Sequence, residues 1–313
     1  MPLVAYPPAP ATLSGDLLTI NRMLANPAVI TRRLKALTDI GFIADELLPA
    51  RFRTSGGAVQ YEINDQPLFT NRSVTAVGPG SEYPRALPQS GTAALAAVSK
   101  WGQATELTDE RIKRSIPMGD AVDWALRVLV NTVVQKIDRL AIAAFASAVS
   151  DTITASDWTG STPKILLDIE KAKAKVRGRE MGYNPDTILI TDAKYAYMAS
   201  DDKIATLRKR ETTDNPVYGG AIDRIAGLKV LTTPIANMPG GADTPYIFDS
   251  RAIGGMADEA DLDPGYATAE NGVQVQTRRV AERDVWHMWG RRITVPVITD
   301  PLAGVQLTGT GTA

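Results

Sequence analysis

The 313-residue chain contains no cysteine. That excludes disulfide scaffolds, cysteine-based zinc sites, iron–sulfur clusters and thiol nucleophiles. Histidine is nearly absent too, His287 being the single one. A histidine-rich metal site is excluded, and any serine–histidine–aspartate triad would hang on that one residue. An excess of either charge is lacking: 34 Lys+Arg stand against 35 Asp+Glu, a net charge of -1. No global field draws the chain toward nucleic acid or an anionic membrane. Long apolar runs are missing as well. Leu140–Ala146, the longest strongly apolar stretch, falls far short of the roughly 20 residues that span a bilayer. The N-terminal MPLVAYPPAPATL is rich in proline and lacks the basic stretch of a signal peptide. An intracellular product is expected.

Familiar catalytic motifs are also wanting. No Gly-Lys-Ser/Thr, HExxH or GxSxG sequence occurs. Gly78-Pro79-Gly80 opens like a dinucleotide fingerprint, but Tyr83 stands where the third glycine belongs. Pro79 also has no amide to offer a phosphate, so the segment reads as a turn. Asp258, Glu259, Asp261, Asp263 and Gly265 hint at a calcium loop. Counted from Asp261, however, the required glutamate position holds Gly272. A solvated acidic loop is the expectation. Asp201-Asp202 reads as a loop or helix-start pair, because adjacent residues do not share a helix face. His287, on an alternating strand with Val285 and Trp289, reads as a packed or interface histidine. Lys171, Lys173, Lys175, Arg177 and Arg179 invite a nucleic-acid reading, but scattered round a helix they suit a solvated face or a subunit contact. Leu207–Arg210 is similar, beside an expected exposed loop at Glu211–Tyr218. No metal site, cofactor site or catalytic residue is expected.

What is present is an ordinary globular composition, 44% hydrophobic and 22% charged, with 25 glycines and 20 prolines. At this length a chain buries a sizeable core unaided. Pro7, Pro8 and Pro10 predict an irregular arm. Ser14 can cap a short helix through Leu24. Asn26-Pro27 starts another, with Ile30, Leu34, Leu37 and Ile40 at helical spacing and Gly41 as the stop. From Arg51 to Thr108 the character changes. Alternating runs at 59–63, 74–78 and 96–107 lie between Gly- and Pro-rich breaks, predicting a long two-stranded excursion. Met118–Ser150 predicts one long amphipathic helix, with Leu126, Val130, Val133, Ile137, Leu140, Ala144 and Ala148 inward. Asp123, Arg127, Asn131, Gln135, Asp138 and Arg139 are placed outward.

A helix at Lys164–Arg179, a buried strand at 186–192, a helix at Lys194–Arg208 and strands at 228–233 and 245–249 follow. The C-terminal part is strand-rich, at 273–282, 285–300 and 305–309. The whole predicts an α+β chain whose arm and hairpin no compact monomer can satisfy. Exposed strand edges and apolar surface need covering by a partner, so an obligate oligomer is expected.

Six segments in this order resemble the major capsid proteins of tailed double-stranded DNA phages, the Hong Kong 97-type capsid fold. They are VTAVGPGSEYPRA (74–86), VSKWGQATELTDERI (98–112), the helix 118–150, MGYNPDTILITDAKYAYM (181–198), AIDRIAGLKVLTT (221–233) and VWHMWGRRITVPVITDPLAGVQLTG (285–309). The resemblance implies an N-terminal arm at 1–50 and an extended β-hairpin loop at 51–105. It implies a peripheral domain at 106–150 plus 270–292, containing the spine helix, and an axial domain at 151–269 plus 293–313. It further implies pentamers and hexamers of an icosahedral shell, assembled in the bacterial host cytoplasm. Packaged double-stranded DNA would lie against the inner face without sequence specificity. Separate scaffolding, portal and decoration proteins are possible partners, and a membrane is not.

Candidate inter-subunit contacts are Tyr83 and Trp101, as aromatic anchors, and Arg51, Arg53, Arg72 and Arg85, as interface ion-pair formers. Some members cross-link through a lysine on the extended loop. None occurs here between Lys35 and Lys100, so a non-covalent shell is expected. No cleavable fused scaffold is expected either. The rival readings are an encapsulin-like compartment shell, a metal-dependent hydrolase using Asp258, Glu259 and Asp261, and a nucleic-acid-binding module. The balanced charge argues against the last.

Overall fold

The computed structural model describes residues 43–311, except 67, 71, 87–89, 115–119, 161, 208–221, 260–264 and 269–271. The expected arm, the two helices before Gly41 and the loop Glu211–Tyr218 lie outside the described residues.

The organising element is helix α3, Asp120–Ala148; α1 is Ile43–Leu47 and α2 is Asp109–Arg114. Its 29 residues contain neither glycine nor proline, so nothing in it breaks the backbone ladder. Val122, Leu126, Val130, Val133, Ile137, Ala141 and Phe145 are buried along it. Leu140, Ala144 and Ala148, expected inward, are only half-buried. Asp138, expected outward, is buried at 1% exposure. The reason is that α3 is gripped from several sides, by strands of one sheet and also by α1, α2 and the short turns Ile235–Asn237 and Pro239–Gly241.

Two six-stranded sheets flank this helix. The first runs β1 (Ala50–Arg53), β10 (Gly254–Asp258), β13 (Val285–Ile298), β12 (Gln274–Val280), β11 (Ala267–Thr268), with β4 (Ser99–Thr108) also on β13. The 14-residue β13 is the common partner: it pairs antiparallel with β12, with β4 from Val285 to Thr294, and with β10 from Thr294 to Ile298. The second sheet runs β5 (Thr152–Thr154), β14 (Gly304–Thr308), β9 (Tyr246–Phe248), β6 (Thr187–Thr191), β8 (Leu228–Thr233), β7 (Arg224–Ile225). Helix α4 (Ile165–Arg177) turns Ile165, Ile169, Ala172 and Val176 inward, as its spacing predicts. Phe145 carries α3 into this second core, packing edge-on to Tyr246 and Phe248 at 5.3 and 4.9 Å between ring centres.

Three expected elements differ. The run 96–107 is two strands broken at Val98. β3 (Thr92–Ala97) pairs with β2 (Ala58–Ile63), while β4 pairs with β13. The Val98 amide turns away to donate to the Gly57 carbonyl at 2.9 Å. Residues 74–78 form no strand; Val74 is 98% exposed, and a turn closes at Gly78 where the Ser81 amide donates back to it. The helix expected at Lys194–Arg208 is α5 (Asp192–Ser200) and α6 (Asp202–Leu207). Asp201 separates them with extended ψ, and its Oδ1 accepts the Lys203 amide at 3.0 Å.

Candidate assembly surfaces

The β2–β3 ribbon pairs with neither six-stranded sheet. It is tied to the body at Asn64, whose amide donates to the Thr299 carbonyl at 2.8 Å and whose side chain donates to Asp300 at 2.7 Å, and the chain then makes an excursion to Gly91. Such a ribbon alone is marginal in water, because it has no third layer to bury against. Its exposed residues include Leu68, Phe69, Val74, Tyr83 and Leu95. Tyr83 is 78% exposed and sits at an open concavity lined by Arg72, Val77, Pro84 and Arg85. Arg72 donates to the carbonyl of Arg85 at 3.0 Å, and Arg85 pairs with Glu82 at 3.0 Å. The structure therefore brings Tyr83, Arg72 and Arg85 together at one end of the excursion.

Trp101, Arg51 and Arg53 lie at the other end, where the hairpin joins the sheets. Trp101 is half-buried on β4, and the ammonium of Lys136 on α3 lies 5.0 Å from its ring centre. Arg51 on β1 pairs with Asp45 at 2.5 Å and with Asp258 at 3.4 Å. Arg53 is exposed on the same strand.

Beneath this root lies a charge cluster that sequence reasoning missed. Arg292, 1% exposed on β13, holds Asp258 with two contacts of 3.0 Å and reaches Asp45 at 3.4 Å. Burial alone would lower the guanidinium's pKa. The hydrogen bonds and charges of Asp258 and Asp45 outweigh it and raise it. Asp138 completes the cluster. Its Oδ1 accepts the Ala44 amide at 2.9 Å, so a residue of the long helix caps the first turn of α1. Burial pushes its carboxyl up to about 6, against the opposing pull of the Ala44 and Ile43 amides. No local signal marks these residues: Asp138 stands among Lys136, Ile137 and Arg139, and Arg292 directly follows Arg291.

The acidic run is partly accounted for by this cluster, since Asp258 is engaged by Arg292 and Arg51; residues 260–264 lie outside the described residues. Among the described residues, no three metal-ligating side chains converge. The basic stripe on α4 is largely spent within the subunit, contrary to a solvated face. Lys173 is buried against Glu170 and the Ala226 carbonyl, while Lys175 and Arg179 share Asp151. Lys171 and Arg177 stay exposed. His287 is half-buried, with Nε2 3.3 Å from Glu106 and its ring 5.6 Å from Trp289. No helix among the described residues is long and apolar enough to cross a membrane.

A second buried clamp fixes the C-terminal end. Lys194 on α5 is fully buried and donates to the carbonyls of Thr310 and Gly311 at 2.8 and 2.7 Å. Asp243 lies 3.5 Å away and also accepts the Thr191 hydroxyl.

The family model described as phage capsid protein matches residues 91–307, well over half of the chain. No curated protein matches. Among solved structures, the Microbacterium phage Oxtober96 structure is similar with a TM-score of 0.59 and 13% identity, covering 86% of this chain and 91% of that one. The capsid of cyanophage P-SCSP1u gives 0.61 and 12%, covering 87% and 89%. The holo-SrpI encapsulin complex of Synechococcus elongatus PCC 7942 gives 0.55 and 12%, covering 97% and 95%.

Proposed function

The chain belongs to the phage capsid protein family, and on that premise we propose that it is a major capsid protein forming the pentamers and hexamers of an icosahedral shell around phage double-stranded DNA. The observation that carries this reading is the hairpin. A two-stranded ribbon with Phe69, Tyr83 and Leu95 in solvent is a poor feature for a monomer and a good one for a shell, where a neighbour covers it. Interwoven obligate interfaces bury upward of about 2,000 Å², and a projecting hairpin supplies such area in a thin wall.

In this reading the Pro-rich residues 1–13 and the hairpin reach over neighbouring subunits. Residues 106–150 with 270–292 are the peripheral domain, and 151–269 with 293–313 the axial domain. Tyr83 and Trp101 are aromatic anchors, and Arg53 and Arg72 are positioned to meet a neighbour's carboxylates. Arg51 and Arg85 hold partners in their own subunit and would serve by orienting the hairpin's two ends. The role is mechanical rather than enzymatic. Scaffolding, portal and decoration proteins would be separate chains, and assembly would take place in the host cytoplasm.

Negative-stain electron microscopy of the purified protein tests this, with light scattering for mass. Closed shells, or rings of five and six, are expected, alone or on co-expression with a scaffold. A small globular oligomer under both conditions would overturn it. An encapsulin-like compartment is the second reading, motivated by the full-length alignment with the encapsulin. The contents of native particles separate the two: genomic DNA for the first, a protein cargo for the second.

A further inference from the structure

Helix α1 has only five residues, yet it meets the long helix and both sheets. Ala44 and Leu47 are fully buried, as is Leu48 just beyond. The Ala44 amide donates to Asp138 of α3 at 2.9 Å. Asp45 meets Arg292 of β13 at 3.4 Å and also Arg51 of β1, both in the first sheet. Glu46 meets Lys229 of β8, in the second sheet, at 2.8 Å. Pro49 then bridges to Gly255, and β1 runs on beside β10 toward the hairpin. This short helix therefore joins the long helix, both sheets and the strand that feeds the hairpin. The Glu46–Lys229 pair is half exposed at each end and adds little strength. The hold rests on the buried side.

That side carries unequal charge. Asp45, Asp138 and Asp258 stand against two guanidiniums, those of Arg51 and Arg292. Asp45 and Asp258 take both guanidiniums between them. Asp138, 1% exposed, holds main-chain amides instead, so the surplus negative charge falls on it. Asp45 on α1 opposes that charge and Arg292 on β13 favours it. Arg51 on β1 and Asp258 on β10 act on it through those two. Lys136 and Arg139, on its own helix, turn to Trp101 and Asn237. Burial raises the Asp138 carboxyl to about 6. A protonated carboxyl keeps an oxygen that accepts an amide. A proton thus removes the surplus charge without costing α1 its bond to the long helix.

We infer that α1 is a proton-controlled clasp that holds the root of the hairpin to the long helix and both sheets, tight when Asp138 is neutral and looser when it is ionised. When α1 lifts away, water reaches Asp138 and its pKa returns toward the ordinary 3.8. The sign follows: the closed clasp gains stability as pH falls through about 6, and gains no more below 3.8. Between pH 5 and pH 7.5 those two values allow the open fraction to rise up to about tenfold. The device belongs to the single subunit and does not depend on what a shell encloses.

Hydrogen exchange on the full chain, corrected for the intrinsic rate at each pH, tests this. Residues 44–53 include the Leu48 amide, which donates to the Ala44 carbonyl. Exchange there should rise by about tenfold from pH 5 to pH 7.5. The paired strands at 187–191 and 228–233 should not follow. Asp138→Asn keeps an acceptor for the Ala44 amide and cannot titrate, so its exchange at 44–53 should be the same at both pH values. A parent whose exchange at 44–53 is flat with pH would overturn the inference, and that measurement needs no variant to fold. A folded Asp138→Asn protein that keeps the parent's pH dependence would overturn it too, by moving the proton to another carboxylate. A rise shared equally by 187–191 would show general loosening rather than a clasp, and would also count against it.

Discussion

Asp138 is a carboxylate in an apolar helix face, and its charge is disfavoured there because burial removes water. Its folded-state value is raised to about 6 from an ordinary 3.8. The sign follows directly. An acid whose folded pKa is raised destabilises the fold when ionised, fully above about pH 6, and the cost is relieved as pH falls toward 4. Two units correspond to about 3 kcal/mol. Asp138→Asn cannot titrate, so its stability relative to the parent should improve by up to about 3 kcal/mol between pH 4 and pH 7. Urea melts of the subunit at the two pH values measure this, and a gap independent of pH would sink it. Lys194 presents the opposite case, a buried charge with its partners in place. Lys194→Met strips two carbonyls and Asp243 of their cation. The expected loss is about 3 kcal/mol, with the C-terminal residues becoming open to carboxypeptidase while the parent resists.

Strand β1 is the element most exposed to a single change. It pairs parallel with β10, setting Ala50 opposite Gly255, and a Cβ on Gly255 would sit 2.3 Å from the Ala50 carbonyl oxygen. No side chain fits, so Gly255→Ala must part the two strands. We expect a loss of about 3 kcal/mol, the upper end for overpacking, and early hydrogen exchange at residues 50–53. Native exchange there in the variant would refute the close-approach argument. β1 was not legible in the sequence, and its four residues show why: ARFR alternates, but a short parallel strand is defined by a partner some 200 residues away. Helix α3, α4 and β13 were legible because their apolar periods are long and unbroken. The joint at Val98 was not, since AAVSKW alternates straight through it and only the change of partner breaks the strand. The candidate site divides the same way. Tyr83 and Trp101 stood out as aromatics in a polar stretch, whereas the Asp45–Arg292–Asp258–Asp138 cluster draws on four distant segments that no local pattern links.

For the whole molecule, the absence of lysine from residues 36–99 bears on how a shell of these subunits would hold. An isopeptide link needs an amine on the projecting hairpin, and its charged groups there are arginines and carboxylates, such as Arg72, Arg85 and Glu82. A guanidinium stays protonated at any physiological pH and is a poor nucleophile. Strength must then come from covered apolar surface and ion pairs. Such contacts dissociate when detergent solvates each chain, whereas covalent ones survive. Mature particles boiled in dodecyl sulfate should therefore run as one band near the 33.6 kDa of the subunit. A ladder of multimers would show a linkage through some other residue and remove the hairpin argument. The same reasoning predicts that salt loosens the shell only modestly. Exposed ion pairs are each worth about 1 kcal/mol or less, so the apolar residues of the hairpin, Phe69 and Tyr83 among them, must carry most of the hold.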